Sequence, residues 1–303
     1  MCPICAAAAP ASIVVDGIVV RFCATCGHGF AEVPVHVDHV ARTYADDYFV
    51  GGGVGYADYT REATLLRRYG RFYGWLLARA ANGTPGRALL DVGAAAGLIA
   101  AGLRDEGWEP SCVEPNASMR AYGRDRLGLT YCAATLDDLA ADPSYDAATL
   151  IQVIGHAPDA HAAFSVLARA IVPGGTLVVE TWNVASVTAR AFGRRWHEFS
   201  PPSVLHYFTY ASLDALASAH GFVRIERGRP DKGIGVGHAA SFALAKLGRA
   251  PLGLRVAGFF DRLAPGVVVP YPFDDIFFAL YRRTHATTKN CEDEQGNALV
   301  SPN

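Results

Sequence analysis

The chain has 303 residues, of which 51% are hydrophobic, and it carries a formal net charge of -2 at pH 7. This length allows one large domain, or one domain with a small companion, and the apolar content is enough for a sizeable core. Because the charge is nearly balanced, no broad electrostatic field would attract polyanions, which disfavours nucleic acid as a partner. The longest apolar stretches, such as 147–154, are far shorter than the roughly 18–20 residues that span a bilayer. The sequence does not open with the basic and apolar segments of a secretory signal, so we expect a cytoplasmic protein.

The chain has seven cysteines, and their spacing indicates both the cellular compartment and the kind of structure that they form. Four of them form two C-x-x-C pairs within residues 1–34, a pattern that suits a reducing compartment and a metal site better than a disulfide framework. Each pair can place two thiolates on one turn, and two such turns complete a tetrahedral zinc site. Between the pairs, Asp16-Gly17 separates two apolar runs and predicts a two-residue hairpin. We therefore predict a zinc ribbon that holds Zn²⁺, with a redox dithiol as the alternative. The predicted metal ligands are Cys2, Cys5, Cys23 and Cys26.

Residues 35–60 form a connector that is unusually rich in aromatic residues. A solvated linker would instead be rich in serine, proline and charge, so these rings are expected to pack. They either fix the ribbon to the main domain or form a lid over a ligand cleft, with a tyrosine facing the substrate. The aromatic residues are Tyr44, Tyr48, Phe49, Tyr56 and Tyr59.

From residue 60 the chain alternates between helical and strand-like segments. Apolar residues recur at helical spacing over 60–81, and shorter segments of both kinds follow in turn. This alternation predicts an α/β domain with a parallel sheet and helices on both faces, whose ligand site lies at the carboxyl ends of the strands. The predicted strands are 87–92, 110–114, 129–133, 146–153, 175–181, 222–227 and 275–283, and the later helices are 97–106, 117–127, 160–171 and 211–220.

The stretch 88–101, with the sequence ALLDVGAAAGLIAA, is the most informative one in the chain. An apolar strand ends near Asp91, and Gly93, Ala95 and Gly97 follow at alternate positions. Small residues at these positions allow a tight turn and the close approach of a ligand to a helix N-terminus.

A second acid, Glu114, ends the next predicted strand. A carboxylate there can accept hydrogen bonds from both hydroxyls of a ribose, as it does in dinucleotide sites. Leu98 stands where the third glycine of a phosphate-binding G-x-G-x-x-G motif would be, so a nucleoside without phosphates fits better.

These residues resemble motif I of class I S-adenosylmethionine-dependent methyltransferases, D-x-G-x-G-x-G. Asp91, Gly93 and Gly97 match the motif, and Ala95 stands at its middle glycine. Glu114 matches the ribose-binding acid of that family. The resemblance implies a Rossmann-like sheet of seven mostly parallel strands, S-adenosyl-L-methionine as cofactor, and methyl transfer as the reaction.

The resemblance covers residues 60–283 and implies further site residues. The family places adenine contacts in the turn after the third strand of the sheet. Many relatives have an acid-histidine pair at the end of the fourth strand, where this chain has Gly155 in place of the acid and retains His156. The further cofactor-binding residues implied are Thr135, Leu136, Asp137 and Gln152.

Residues 182–210 form an aromatic-rich insertion above the strand ends, where substrate recognition is expected. Their Trp…Pro-Pro…Tyr-Phe pattern resembles that of small-molecule methyltransferases whose zinc-ribbon relatives act on sugars, glycans or secondary metabolites. Methyl transfer needs a base only if the acceptor must lose a proton of high pKa. The candidate catalytic residues are His156, Glu198 and His206.

The main domain is predicted to span 61–285 and to contain a second insertion at 230–270. Within that insertion, 239–263 is apolar with spaced basic residues. It is interpreted as a roof over the fold, with an amphipathic pair on a membrane surface or partner as the alternative. The polar segment 286–303 is predicted to be a disordered tail.

The predicted function is methyl transfer from S-adenosylmethionine to a small-molecule acceptor, with oxygen favoured over nitrogen or carbon. An RNA methyltransferase that binds its substrate through the ribbon is one alternative. It is disfavoured because Arg21 is the single lysine or arginine in residues 1–35, whereas phosphate binding needs several. A non-catalytic scaffold is another alternative, but a scaffold has no need of a ribose-binding acid such as Glu114.

Overall fold

The computed structural model describes residues 1–34, 39, 43–49, 59–81, 86–139, 144–235 and 268–284. The predictions for Tyr56, 239–263 and 286–303 concern residues outside these ranges. The strands are β1 (Ala11–Val15), β2 (Ile18–Phe22), β3 (Gly29–Ala31), β4 (Ala88–Val92), β5 (Glu109–Val113), β6 (Thr130–Ala133), β7 (Tyr145–Ile151), β8 (Ile171–Trp182), β9 (His206–Tyr207), β10 (Phe222–Gly228), β11 (Gly233–Gly235), β12 (Val268–Pro270) and β13 (Ile276–Arg283). The α-helices are α1 (Asp46–Phe49), α2 (Ala63–Ala80), α3 (Leu98–Asp105), α4 (Ala117–Leu127), α5 (Ala160–Ala170), α6 (Val187–Phe192) and α7 (Tyr210–Ala219).

Seven strands form the central sheet, in the order β10-β13-β8-β7-β4-β5-β6. The strands from β8 to β6 in that order are parallel to their neighbours, and β13 and β10 add antiparallel at one side. Successive side chains of a strand point to opposite faces, so Leu89 and Leu90 belong to different hydrophobic clusters. The predicted Rossmann-like fold is therefore confirmed.

Helices cover both faces of this sheet. On one face α5 and α7 contribute Phe164 and Leu213 to the core, and on the other face α2 and α3 contribute Tyr73 and Leu103. The buried faces of these helices repeat at the helical period, as the amphipathic pattern of the sequence predicts. Among the described helices, none combines the length and the apolar composition that a membrane crossing requires.

The helices α2 and α3 approach each other closely at a pair of glycines. A Cβ on Gly70 would lie 2.0 Å from the carbonyl oxygen of Ile99, and a Cβ on Gly102 would lie 2.1 Å from that of Arg67. Both contacts are with backbone, so neither can be relieved by rotating a side chain. The small residues are required here by packing.

We expect Gly102→Ala to lower the free energy of unfolding by about 1–3 kcal/mol, because overpacking outweighs the better helix propensity of alanine. Urea denaturation measures this difference. As a control, Arg68→Ala on the exposed face of α2 should change it by no more than about 0.5 kcal/mol. Equal stabilities of the two variants would contradict the close approach.

The first 31 residues contribute three strands to a separate four-stranded antiparallel sheet, in the order β1-β2-β3-β9. The hairpin between β1 and β2 turns at Asp16 and Gly17, whose φ angles are 48° and 81°. Two positive φ angles define the turn type that best matches the twist of a hairpin. The hairpin predicted from Asp16-Gly17 is confirmed.

The fourth strand of this sheet comes from the insertion 182–210. In β9, Tyr207 pairs with Gly29 and His206 pairs with Phe30 of β3. A two-residue strand has no periodic pattern, which is why the sequence does not predict it. The N-terminal sheet is thus completed by the segment that lies above the strand ends of the main domain.

Candidate active site

The loop 93–97 follows β4 directly and leads into α3. Gly93 and Gly97 have φ angles of 71° and 76°, and Ala95 between them has a φ of 48°. A Cβ on Gly93 would lie 2.4 Å from Cγ2 of Val153, and a Cβ on Gly97 would lie 2.3 Å from Cδ1 of Leu129. The positive φ angles favour glycine at these two positions, and a Cβ there would force the side chain of Val153 or Leu129 to move.

The Glu114 carboxylate lies against this loop. It accepts hydrogen bonds from the backbone N–H of Ala95 at 2.9 Å and of Asn116 at 2.8 Å. The side chain is buried, and burial raises the pKa of Glu114, while these two N–H groups act in the opposite direction. The carboxylate is thus held in place at the carboxyl end of β5, beside the loop.

Asp91 lies within β4, one position before the strand ends. Its Oδ1 accepts a hydrogen bond from Oγ1 of Thr149 at 2.6 Å, and burial raises the pKa of Asp91 to about 7, with a further contribution from the nearby charge of Glu114. Among the described residues, Oδ2 is buried without a hydrogen-bond partner. A buried acceptor without a donor is costly, and a bound cationic group would relieve that cost.

The remaining cofactor candidates lie at two neighbouring strand ends. The turn after β6 contains Leu136 and Asp137 and begins at Thr135, whose backbone N–H donates to Asp138 at 2.9 Å. Gln152 follows β7 with a φ of 61°, and its Nε2 donates to Oε1 of Glu180 at 2.6 Å. All the predicted cofactor residues therefore lie at the carboxyl ends of the adjacent parallel strands β4, β5, β6 and β7.

His156 lies just after β7, where three segments of the chain meet. Its Nδ1 lies 2.9 Å from the carbonyl oxygen of Ser203, which accepts from the N–H tautomer. The ring of Tyr44 stands edge-on to the imidazole at 5.4 Å, and its hydroxyl also donates to Ser203 at 3.3 Å. Burial lowers the pKa of His156, so the imidazole is neutral near pH 7.

The other two candidate bases occupy different surroundings. His206 lies in β9, and its Nδ1 is 3.0 Å from Nε2 of His28 in the N-terminal unit; burial lowers the pKa of His206 to about 4. Glu198 lies 3.0 Å from Nε2 of His197, and burial raises the pKa of Glu198. The structure does not gather the three candidates at one point.

The four N-terminal cysteines do come together. Their sulfur atoms all lie within 4.8 Å of one another, with Sγ–Sγ distances of 3.7 Å for Cys2–Cys26 and 3.5 Å for both Cys5–Cys23 and Cys5–Cys26. A tetrahedron of sulfur atoms at about 2.3 Å from a zinc ion has edges of about 3.8 Å. The geometry and the all-thiol donor set therefore fit a zinc ion.

Sequence reasoning missed a set of polar residues at the end of β8. Glu180 is buried in the strand and pairs with Lys232, and both lie close to Trp182. An acid in the apolar run 177–182, LVVETW, is a signal that could have identified Glu180. No local pattern marks Lys232, because its place depends on pairing with distant strands.

Comparison of the chain with known proteins finds matches among methyltransferases. A family model described as "Methyltransferase domain" matches residues 65–226, just over half of the chain. The chain is 30% identical over 114 residues to a ubiquinone biosynthesis O-methyltransferase of Alkalilimnicola ehrlichii, an alignment that covers 35% of this chain and 46% of the relative. It is 29% identical over 106 residues to the protein of the same name from Xanthomonas campestris, with 33% and 44% covered. The chain spans about half the length of these curated relatives.

Solved structures share the fold. A putative methyltransferase from Bacillus halodurans superposes with a TM-score of 0.51 at 14% identity, covering 70% of this chain and 99% of that one. The 1,6-didemethyltoxoflavin-N1-methyltransferase of Burkholderia thailandensis, solved with S-adenosylhomocysteine, gives 0.50 at 16% identity and covers 90% and 99%. The fold and the loop are those of the class I methyltransferase type. The chain belongs to the methyltransferase domain family.

Proposed function

We propose that the chain methylates an oxygen of a small-molecule acceptor, bound between the loop 93–97 and the insertion 182–210. The observation that carries the proposal is the meeting of Tyr44, His156 and Ser203 just after β7, close to Val153, which packs against Gly93 of the loop 93–97 (the cofactor loop). Aromatic and backbone groups there can exclude water, and a neutral imidazole can accept a proton. The name of the curated relatives supports oxygen as the acceptor atom.

The cofactor site is proposed to use the residues at the ends of β4 to β7. S-adenosylmethionine supplies the electrophilic methyl group when it is bound. Glu114 would accept hydrogen bonds from the ribose, the turn after β6 would hold the adenine, and the loop 93–97 and Asp91 would hold the methionine portion. The proposed contacts are Asp91, Gly93, Ala95, Gly97, Glu114, Thr135, Leu136, Asp137 and Gln152.

His156 is proposed as the general base. When Nδ1–H donates to the Ser203 carbonyl, the lone pair is on Nε2, so this hydrogen bond fixes the tautomer that can accept a proton. The lowered pKa of His156 keeps the imidazole in the neutral form, which is the form that can accept a proton near pH 7. His206 and Glu198 are the next candidates, and their partners are His28 and His197.

The four cysteines are proposed to hold one structural zinc ion, which makes the N-terminal unit a zinc ribbon. Backbone N–H groups of Ile4 and Thr25 point at the sulfurs of Cys2 and Cys23, each at 3.4 Å. Such N–H groups stabilise thiolates on the two turns. The zinc would then serve the fold of a unit that is too small to bury a core of its own.

Replacing Glu114 by alanine should weaken binding of S-adenosylhomocysteine. Two ribose hydroxyls would lose a charged acceptor, at about 1.5–3 kcal/mol for each strong hydrogen bond, which calorimetry can measure. Glu109→Ala, at the exposed start of the same strand, is the matched control and should bind normally. Normal affinity of a folded Glu114→Ala variant would remove the ribose assignment.

The acceptor class can be tested with methyl-labelled S-adenosylmethionine and a panel of alcohols, phenols, amines and transfer RNA. We expect label in a hydroxylated small molecule. Label found only in the RNA would contradict the proposal and favour the RNA alternative.

A further inference from the structure

The imidazole of His28 joins the N-terminal unit to the insertion 182–210. Its Nε2 lies 3.0 Å from Nδ1 of His206 in β9, so one ring donates an N–H to the other. Both side chains are buried, and Nδ1 of His28 has no hydrogen-bond partner within the described ranges. Burying an imidazole costs free energy unless its polar atoms are paired. The contact with His206 is therefore the one that compensates for the burial of this ring.

His28 belongs to the turn of the second C-x-x-C pair. The backbone N–H of Cys23 donates to the carbonyl oxygen of His28 at 2.8 Å. The ring packs against Phe30 and Phe208, with centroid distances of 6.4 Å and 4.7 Å. The turn that carries Cys23 and Cys26 thus sets the position of the His28 ring. These aromatic surroundings can also hold a phenyl ring of similar shape.

The insertion connects this contact to the turn that contains His156. The backbone N–H of Leu205 donates to the carbonyl oxygen of Gly155 at 2.8 Å, and the carbonyl oxygen of Leu205 accepts from the N–H of Ala31 in β3 at 3.0 Å. A Cβ on Gly155 would lie 3.2 Å from the carbonyl oxygen of His206, which is tighter than an ordinary contact. Glycine at position 155 therefore lets β9 approach this turn closely.

The Ser203 carbonyl completes the connection to His156. It lies 2.9 Å from Nδ1 of His156 and accepts the N–H of the tautomer whose lone pair is on Nε2. Two residues separate Ser203 from His206. Because this piece of chain is so short, a displacement of β9 also displaces the carbonyl oxygen that selects the tautomer.

We propose that His28 is a positioning residue for methyl transfer, which acts through His206 to hold β9 and Ser203 against the turn Ile154–His156 and so fixes the tautomer of His156. The N-terminal unit then serves the reaction without touching the substrate or the cofactor. A general base must present its lone pair at the correct place, so a wrong tautomer or a small displacement lowers the rate. The inference rests on the proposed role of His156 as general base.

The test uses the full chain as purified, saturated with S-adenosylhomocysteine and labelled with nitrogen-15 in the rings of its 10 histidines. Nitrogen chemical shifts distinguish an N–H from a bare ring nitrogen, and His156→Gln assigns the His156 signals. In the unaltered protein we expect the proton of His156 on Nδ1. His28→Phe keeps a ring but loses the hydrogen bond, so both tautomers of His156 should be populated and its two nitrogen shifts should move towards each other.

Turnover and rescue separate positioning from a merely structural role. With the acceptor that takes up the methyl label, kcat of His28→Phe should fall about tenfold or more, while the affinity for S-adenosylhomocysteine should stay the same. His28→Gln returns an N–H donor near the place of Nε2 and should restore both kcat and the His156 signals. A merely structural role would lower the folded yield and leave the His156 signals of the folded protein unchanged.

His161→Phe is the matched control. Nε2 of His161 lies 3.1 Å from the carbonyl oxygen of Ile4, so this variant also removes an imidazole hydrogen bond between the N-terminal unit and the main domain. The bond runs from α5 and does not involve β9. We expect the His156 signals of His161→Phe to match those of the unaltered protein.

Unchanged His156 signals in folded His28→Phe, or an equal change in His161→Phe, would overturn the positioning role. If His28→Phe does not fold, Gly155→Ala tests the same contact from the other side, because its Cβ would push the His206 carbonyl away by a few tenths of an ångström. Unchanged His156 signals in Gly155→Ala would overturn the inference as well. Normal turnover by His156→Ala would instead contradict the proposed general base, and the positioning role with it.

Discussion

Cys23→Ser is expected to leave little folded protein, because the variant loses one of four ligands to the proposed zinc ion. In small zinc domains the metal contributes about 10–16 kcal/mol of apparent binding free energy, and this energy is folding energy. The N-terminal sheet has short strands and few buried side chains of its own, so it cannot replace that contribution. The measurements are soluble yield and elemental analysis, which should give about one zinc per chain for the unaltered protein.

Cys132→Ser is the control for this experiment. Cys132 is exposed, belongs to β6 and lies apart from the four-cysteine group. We expect it to retain zinc and normal yield. Protein prepared without chelator that contains no metal, and whose four N-terminal thiols all titrate freely, would refute the zinc assignment.

His156→Ala is expected to lower kcat by about 10²–10⁴, the usual contribution of a general base, with little change in cofactor affinity. The pH dependence of kcat should also follow from the protonation state of His156. Because burial lowers the pKa of His156 below its ordinary value, the base is neutral near pH 7, and kcat should be level there. It should fall only as the pH drops through that lowered pKa, where the imidazole gains a proton and can no longer accept one.

His220→Ala controls for the loss of an imidazole at a distant place, since His220 pairs with His161 at the end of α7. Single variants of His156 and His206 identify which histidine is used. If both single variants and the double variant turn over at the unaltered rate, no histidine base is needed, and positioning alone accounts for the rate. Glu198 would then be the residue to replace.

Local patterns in the sequence predict most of the main domain. The strands of the central sheet are short apolar runs bounded by turns, and the long helix α2 has a clear helical period, so each can be recognised without knowledge of its neighbours. The spacing of Gly93, Ala95 and Gly97 likewise reflects the need for small residues in one tight turn. Here glycine or alanine is needed for the turn, whatever the rest of the chain does.

Contacts between distant segments cannot be predicted in this way. The strand β9 has two residues and exists because β3 is beside it, and the pairing of β11 with β12 places Lys232 next to Tyr271. The surroundings of the candidate bases also depend on contacts between distant segments. The sequence offers His156 and His206 as candidates, with Glu198 as the next, whereas the hydrogen bonding and burial of each are seen only in the folded chain.

The pairing of β3 with β9 has a consequence for biosynthesis. His28 and His206, which meet across this pairing, are separated by 178 positions. At about 5–20 residues per second, translation takes roughly ten seconds or more to supply β9 after β3 has been made. Throughout that interval the outer edge of β3 has unpaired N–H and C=O groups, which can pair with strands of other nascent chains. Until the ribosome has passed Tyr207, this edge of the N-terminal sheet therefore lacks its native partner strand.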